Sequence, residues 1–250
     1  MKAEDIYKQW LNDPGIDEDT RNELLSIEGN ASEIEDRFYQ DLEFGTAGLR
    51  GVIGAGTNRM NIYTVSRATK GLADYISSQK GGAERGVAIA YDSRHMSPEF
   101  ADISASVLNA QGIKAYVFES LRPTPELSFA VRELKCIAGI NVTASHNPAE
   151  YNGYKVYWED GAQVTPPHDT GIMDCVNAVK NLTGIPKMDK EEAIGKGLYI
   201  PMGKEMDDRY VDTILTLVKE EEAIEEVADD LKIVYTPLHG TGIVIVPGAL

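Results

Sequence analysis

The chain has 250 residues, 42% of them hydrophobic and 26% charged, enough for one large domain or two small ones around a real core. Its 40 acidic residues against 24 basic ones give a net charge of −16, which argues against a nonspecific nucleic-acid binder and leaves any anionic ligand to local donors. No apolar run approaches the roughly 20 residues that a bilayer crossing needs, and "MKAEDIYKQW" lacks a signal peptide's apolar stretch, so nucleic acid and membrane are not expected partners and the cytoplasm is the expected location.

The first 40 residues are amphipathic and helical, broken at "NDPGID" and "EGNAS", with Asp17 and Ser32 as N-caps. "FGTAGLRGVIGAGTNRMN" follows, rich in glycine and poor in helix formers. Helical periodicity returns from Ile62 to about Ser78. "GVAIAYDS" reads as a buried strand. "SPEFADISASVLNAQG" reads as a helix with Ser97 as cap, Pro98 at its first position and Gly112 as stop. "IKAYVFE" is a strand and "TPELSFAVRELK" a helix capped by Thr124. "IAGINVTAS" and "YKVYWED" are strands joined by a short loop, so one antiparallel step is allowed, and "TPPHDTGIMDCVNAV" opens another helix. After about Pro186 the composition turns irregular. A single helix is expected from Asp207 to about Glu226, with the acidic run in "VKEEEAIEEVADD" as its solvated face. "LKIVYTPLHGTG" reads as a strand and Gly-rich turn. The alternation predicts an α/β fold: a mixed, mostly parallel sheet flanked by helices over residues 1–203, then the start of a second α/β domain over 204–250. Cys136 and Cys175 are far apart and fit free thiols, although a single disulfide between them stays open.

Ligands gather at the carboxyl ends of strands in such sheets. Ser145 ends "INVTA", Asp92 and Arg94 end "VAIAY", Thr46 and Arg50 lie in the Gly-rich loop, and His239 follows "VYTPL". A serine hydroxyl is a poor nucleophile without a base, cation or metal. His146 follows Ser145 directly, and the turn dipeptides Asn147-Pro148 and Asn152-Gly153 fold the chain back toward Lys155. That is a setting for a serine attacking phosphorus. A plain strand-to-turn junction explains the same residues, and on their chemistry alone both readings stand.

Together the motifs resemble the α-D-phosphohexomutase family: "FGTAGLRG" (44–51), "AYDSRHMSPEFA" (90–101), "PTPEL" (123–127), "TASHNPAEYNGYKVY" (143–157) and "YTPLHGTG" (235–242), in the family's order. The longer Gly-rich segment behind a helical extension looks like the branch of bacterial α-phosphoglucomutases and phosphopentomutases. The resemblance implies that Ser145 carries a phosphoryl group and passes it to glucose 1-phosphate or glucose 6-phosphate, with glucose 1,6-bisphosphate as intermediate and activator. It implies that Lys155 lies close to the transferred group, that His146 helps with proton movement or orientation, and that Thr46 and Arg50 line the phosphate site. It also implies Mg²⁺, held by the phosphate on Ser145 and by three aspartates of a D-G-D-x-D-R loop. That loop is not found here, nor are the family's sugar-contacting and phosphate-clamping loops. The chain is therefore expected to be an N-terminal part of a longer phosphosugar mutase and inactive alone. Phosphomannomutase, phosphopentomutase and glucose-1,6-bisphosphate synthase specificities, and a non-catalytic module of the same fold, remain open alternatives.

Overall fold

The computed structural model describes residues 2–45 and 48–250. Three short helices lead: α1 (Ala3–Asn12), α2 (Glu18–Ser26) and α3 (Ala31–Phe38). Tyr7, Trp10, Leu24, Ile34 and Phe38 bury their apolar faces in a small core of their own, shared with Ala55 and Tyr63 of the main body. Asp17 caps α2 as expected, accepting from the Thr20 amide at 2.9 Å. Ser32 does not cap α3; Asn30 does, because the helix already begins at Ala31, which puts Ser32 inside it, and the Asn30 side chain accepts from the Glu33 amide.

The main sheet is built from β1 (Gly48–Val52), β2 (Val87–Tyr91), β3 (Ala115–Phe118), β4 (Ala138–Val142), β5 (Tyr151–Trp158) and β6 (Tyr199–Met202), in the order β1-β5-β4-β2-β3-β6. The pairs β4–β2, β2–β3 and β3–β6 are parallel; β5 runs antiparallel to both β4 and β1. Helices α4 (Ile62–Ser78), α5 (Gly82–Arg85), α6 (Ser97–Ala110), α7 (Thr124–Glu133), α8 (His168–Ala178) and α9 (Lys190–Gly195) connect the strands. Val87 and Ile89 enter the larger core with Val65, Leu72, Phe100 and Leu108, while Ala88 and Ala90 enter the opposite one with Leu127 and Val131. This alternation along a strand buried on both sides is what a helix-sandwiched sheet requires. Cys136 and Cys175 are free thiols.

Several elements differ from the sequence reading. Ser97 and Thr124 lie just inside their helices, behind Met96 and Pro123, and their hydroxyls serve other partners: Ser97 donates to Asp92, and Thr124 accepts from Asn141. The Gly-rich segment supplies β1, and the irregular stretch after Pro186 supplies α9 and β6. The single helix expected over 207–226 is two, α10 (Lys204–Leu215) and α11 (Glu221–Val227). α10 buries Met206 and Asp207 in its first turn and then leaves the core, and a helix without a packed face is marginal. The strand expected at 231–235 does not form. Val234 is 97% exposed, and no described residue offers a ladder to that backbone. A short α12 (Ile245–Ala249) ends the chain. No helix among the described residues is long and apolar enough to cross a membrane.

Candidate active site

β4 is buried along its whole length, and burial continues through Thr143 and Ala144 before the chain breaks surface at Ser145. Ser145 takes a left-handed conformation, φ 57°, which costs a non-glycine residue roughly 1 kcal/mol or more. Local bonds hold it there. Its amide donates to Thr143 Oγ1 at 2.9 Å, and the Asn147 amide donates to the Ala144 carbonyl at 3.1 Å. The turn exposes the Ser145 side chain at the carboxyl edge of the parallel strands. His146, also exposed, brings Nδ1 to 3.4 Å from Ser145 Oγ, within reach of a shared proton.

The antiparallel strands bring in the cations. Lys155 is opposite Asn141 of β4 and Gly48 of β1, and Arg50 is opposite Gly153. The register needs glycine at 48: with φ 135°, a Cβ there would lie 1.8 Å from the Tyr154 carbonyl oxygen. Lys155 is half-buried, and its ammonium is pushed below the ordinary lysine range, first by burial and then by the Arg50 guanidinium, with the Asp92 carboxylate opposing. An anion arriving beside Lys155 would favour its charged form. Among the described residues no hydrogen bond joins Lys155 to Ser145. Thr46, expected beside Arg50, lies outside the described residues.

Ser145 opens on a cleft of about 590 Å³ whose walls include Asp92, Ser93, Arg94, His95 and His239. Asp92 and Arg94 follow the end of β2 as the sequence placed them, whereas His239 reaches the cleft from an irregular segment, because the strand expected before it does not form. Ser93 and His95 were not singled out, although "YDSRHMSP" packs four polar residues directly after a buried strand. The 236–242 segment reaches the cleft through a 2.5 Å bond from Ser93 Oγ to the His239 carbonyl. Arg50 and Lys155 lie beyond the cleft walls, so the structure gathers the serine and the cations on one edge without closing them into a single pocket.

The phosphoglucomutase/phosphomannomutase alpha/beta/alpha domain I matches residues 41–183, more than half of the chain. The chain belongs to the α-D-phosphohexomutase family. Within that family it is 40% identical over 216 residues to a phosphoglucomutase of Staphylococcus haemolyticus, covering 86% of this chain and 38% of that protein. It is equally 40% identical to a probable phosphoribomutase of Schizosaccharomyces pombe, over 99% of this chain and 42% of the other. The crystal structure of a phosphoglucomutase/phosphomannomutase family protein from Burkholderia thailandensis shares the fold, with TM-score 0.52 and 24% identity over 69% of this chain and 35% of that one. The chain thus spans about two fifths of the length of the curated relatives it matches.

Phosphohexomutases typically depend on Mg²⁺. Among the described residues no group of three or more His, Cys, Asp or Glu stands together to hold a metal. The carboxylate in the Ser145 cleft, Asp92, is engaged by Arg94 and Ser97. Mg²⁺ wants several oxygen ligands in octahedral order, so these residues do not by themselves fit it.

Proposed function

We propose that this chain is the nucleophile-bearing domain of a phosphoglucomutase, with Ser145 carrying the phosphoryl group between glucose 1-phosphate and glucose 6-phosphate. The observation that carries the reading is an exposed serine, held left-handed at the carboxyl edge of the sheet, with Lys155 and Arg50 brought to the same edge by the adjoining antiparallel strands. A free hydroxyl of the sugar phosphate attacks the phosphorus on Ser145. The bond from phosphorus to Oγ breaks as the bond to the sugar oxygen forms, and the proton leaving the sugar hydroxyl ends on Oγ. His146, whose Nδ1 is 3.4 Å from Oγ, is the relay in this reading. The glucose 1,6-bisphosphate so made returns its other phosphoryl group by the reverse of these steps. Lys155 and Arg50 oppose the charge on the phosphoryl oxygens throughout. The carboxylates for Mg²⁺ and the contacts to the sugar come from further domains of the same protein, from 204 onward, and no step above runs through the ion.

In the full-length protein, Ser145→Ala should cut turnover by several orders of magnitude while the circular dichroism and melting profile stay those of the parent. Near-normal turnover from pure variant would remove the carrier role. A second reading, transfer on a pentose phosphate, is favoured by the phosphoribomutase relative at equal identity. Comparing kcat/KM on glucose 1-phosphate and ribose 1-phosphate decides between them.

A further inference from the structure

One side chain holds more of the serine loop than any residue within the loop does. Arg94 leaves the connection between β2 and α6 and reaches across to the turn between β4 and β5. Its Nη1 donates to the carbonyls of Pro148 (2.8 Å) and Tyr151 (3.0 Å), and its Nη2 to those of Ser145 (2.9 Å) and Asn147 (2.6 Å). These four acceptors span the whole turn. Its Nε faces Asp92 Oδ2 at 3.4 Å, and Asp92 Oδ1 in turn accepts from the Arg94 amide and from Ser97 Oγ. The guanidinium is thus aimed by a carboxylate fastened to the start of α6. A second tie runs beside it: Asn152 Nδ2 donates to the His95 carbonyl and to Ser97 Oγ.

We propose that Arg94 is a positioning residue, which fixes the backbone of the 145–151 turn so that Ser145 Oγ is held at one place and angle for phosphoryl transfer. The proposal rests on Ser145 being the phosphoryl carrier. An exposed turn normally offers its carbonyls to water and samples several shapes. Here they converge on one planar fork, and the left-handed Ser145 is tied on its N-terminal side by its amide to Thr143 Oγ1 and on its C-terminal side by the Arg94 bonds to the Ser145 and Asn147 carbonyls. Every carbonyl that Arg94 engages belongs to the turn or its exit, so the bonds buy geometry at the nucleophile. Lysine cannot replace it. An ammonium has three donors on one atom and cannot meet four carbonyls spread along a turn in one plane.

The test is Arg94→Lys in the full-length protein, with Ser145→Ala beside it. Hydrogen exchange should quicken at the Asn147 and Tyr151 amides, which close the turn, and stay unchanged in β4 and α6. The kcat for phosphosugar interconversion should fall about 100-fold with KM little altered, as expected when a reacting atom is misplaced and binding is intact. The melting profile should remain that of the parent. Unchanged kcat, a loss confined to KM, or global unfolding of this charge-conserving variant would each overturn the proposal. The two readings fail differently. Turnover surviving Ser145→Ala removes the carrier role, and this proposal with it; turnover lost in Ser145→Ala but kept in Arg94→Lys removes the positioning role alone.

Discussion

In the proposed function Lys155 faces two opposing demands: its ammonium would have to stay charged to hold phosphate, yet burial and Arg50 favour losing the proton. Turnover should therefore decline on the alkaline side before an ordinary lysine would titrate, and glucose phosphates at saturation should push that limb to higher pH. A pH profile of kcat/KM against kcat reads both effects. Lys155→Met keeps the stem and removes the cation, so it should damage turnover far more than the melting temperature. Unchanged turnover would return Lys155 to a structural role. Elsewhere, Glu126 is buried with neither carboxyl oxygen hydrogen-bonded, 3.9 Å from Arg122, whose fork is taken by Asp207 at 2.7 and 2.8 Å. Burial first, then the Asp207 carboxylate, push Glu126 up to about 8, against the pull of Arg122. A carboxyl raised from an unfolded value of 4.5 contributes stability that is whole below 4.5 and is lost as pH rises through about 8. Glu126→Gln removes that loss. The melting temperature of the variant minus that of the parent should grow from acid toward pH 9; a flat difference would mean that Glu126 is not protonated in the native state. At this scale the serine motif was legible because Ser-His-Asn-Pro at a strand end is an unusual spelling. The Arg94 fork was not, since its four acceptors are backbone carbonyls, which carry no letter of their own.

Helices α4 and α8 cross at Gly71, where an added Cβ would lie 2.4 to 2.5 Å from Val176 Cγ2, Cα and N. Two of those atoms are backbone, so the crossing cannot yield by a rotamer change. Gly71→Ala should cost about 1–3 kcal/mol in chemical denaturation despite alanine's better helix propensity. A gain in stability would show that the helices slide apart freely. Helices with clear apolar periodicity, such as α4, were readable to their ends. β1 and β6 were not. Gly48 and Gly51 give β1 little strand propensity, and it exists because Gly48 to Val52 pair with Lys155 back to Tyr151. β6 contains Pro201, tolerated because it is an edge strand bonded only to β3. The segment at 231–235 spells a strand but finds no partner among the described residues, and β structure depends on its neighbours more than on its own residues.

The three helices at the front are joined to the body by charge as well as by their small core. Arg37 pairs with Glu23 and Glu33 and donates to the Ala55 carbonyl at 3.2 Å, while Glu23 accepts from the Ala55 amide at 3.1 Å. They brace the loop between β1 and α4. None of this supplies the carboxylates that Mg²⁺ needs. The 250-residue chain alone should therefore bind Mg²⁺ weakly by titration calorimetry, and show no interconversion of glucose 1-phosphate and glucose 6-phosphate with Mg²⁺ and glucose 1,6-bisphosphate present. Robust turnover from that preparation, with contaminating mutase excluded, would oblige a metal site within these residues. The strand order also has a bearing on how the molecule is made. β4 and β5 are a hairpin that can form early from neighbouring residues, serine turn included. β1 must add to its far edge across the long stretch of chain from 53 to 150. Closing so long a loop is slow relative to local contacts. The β4–β5 pairing that carries the serine turn is thus local, whereas the Arg94 fork that fixes the turn and the Arg50 register on β1 both wait on distant parts of the chain, so slow long-range closure is expected to finish this edge of the sheet last.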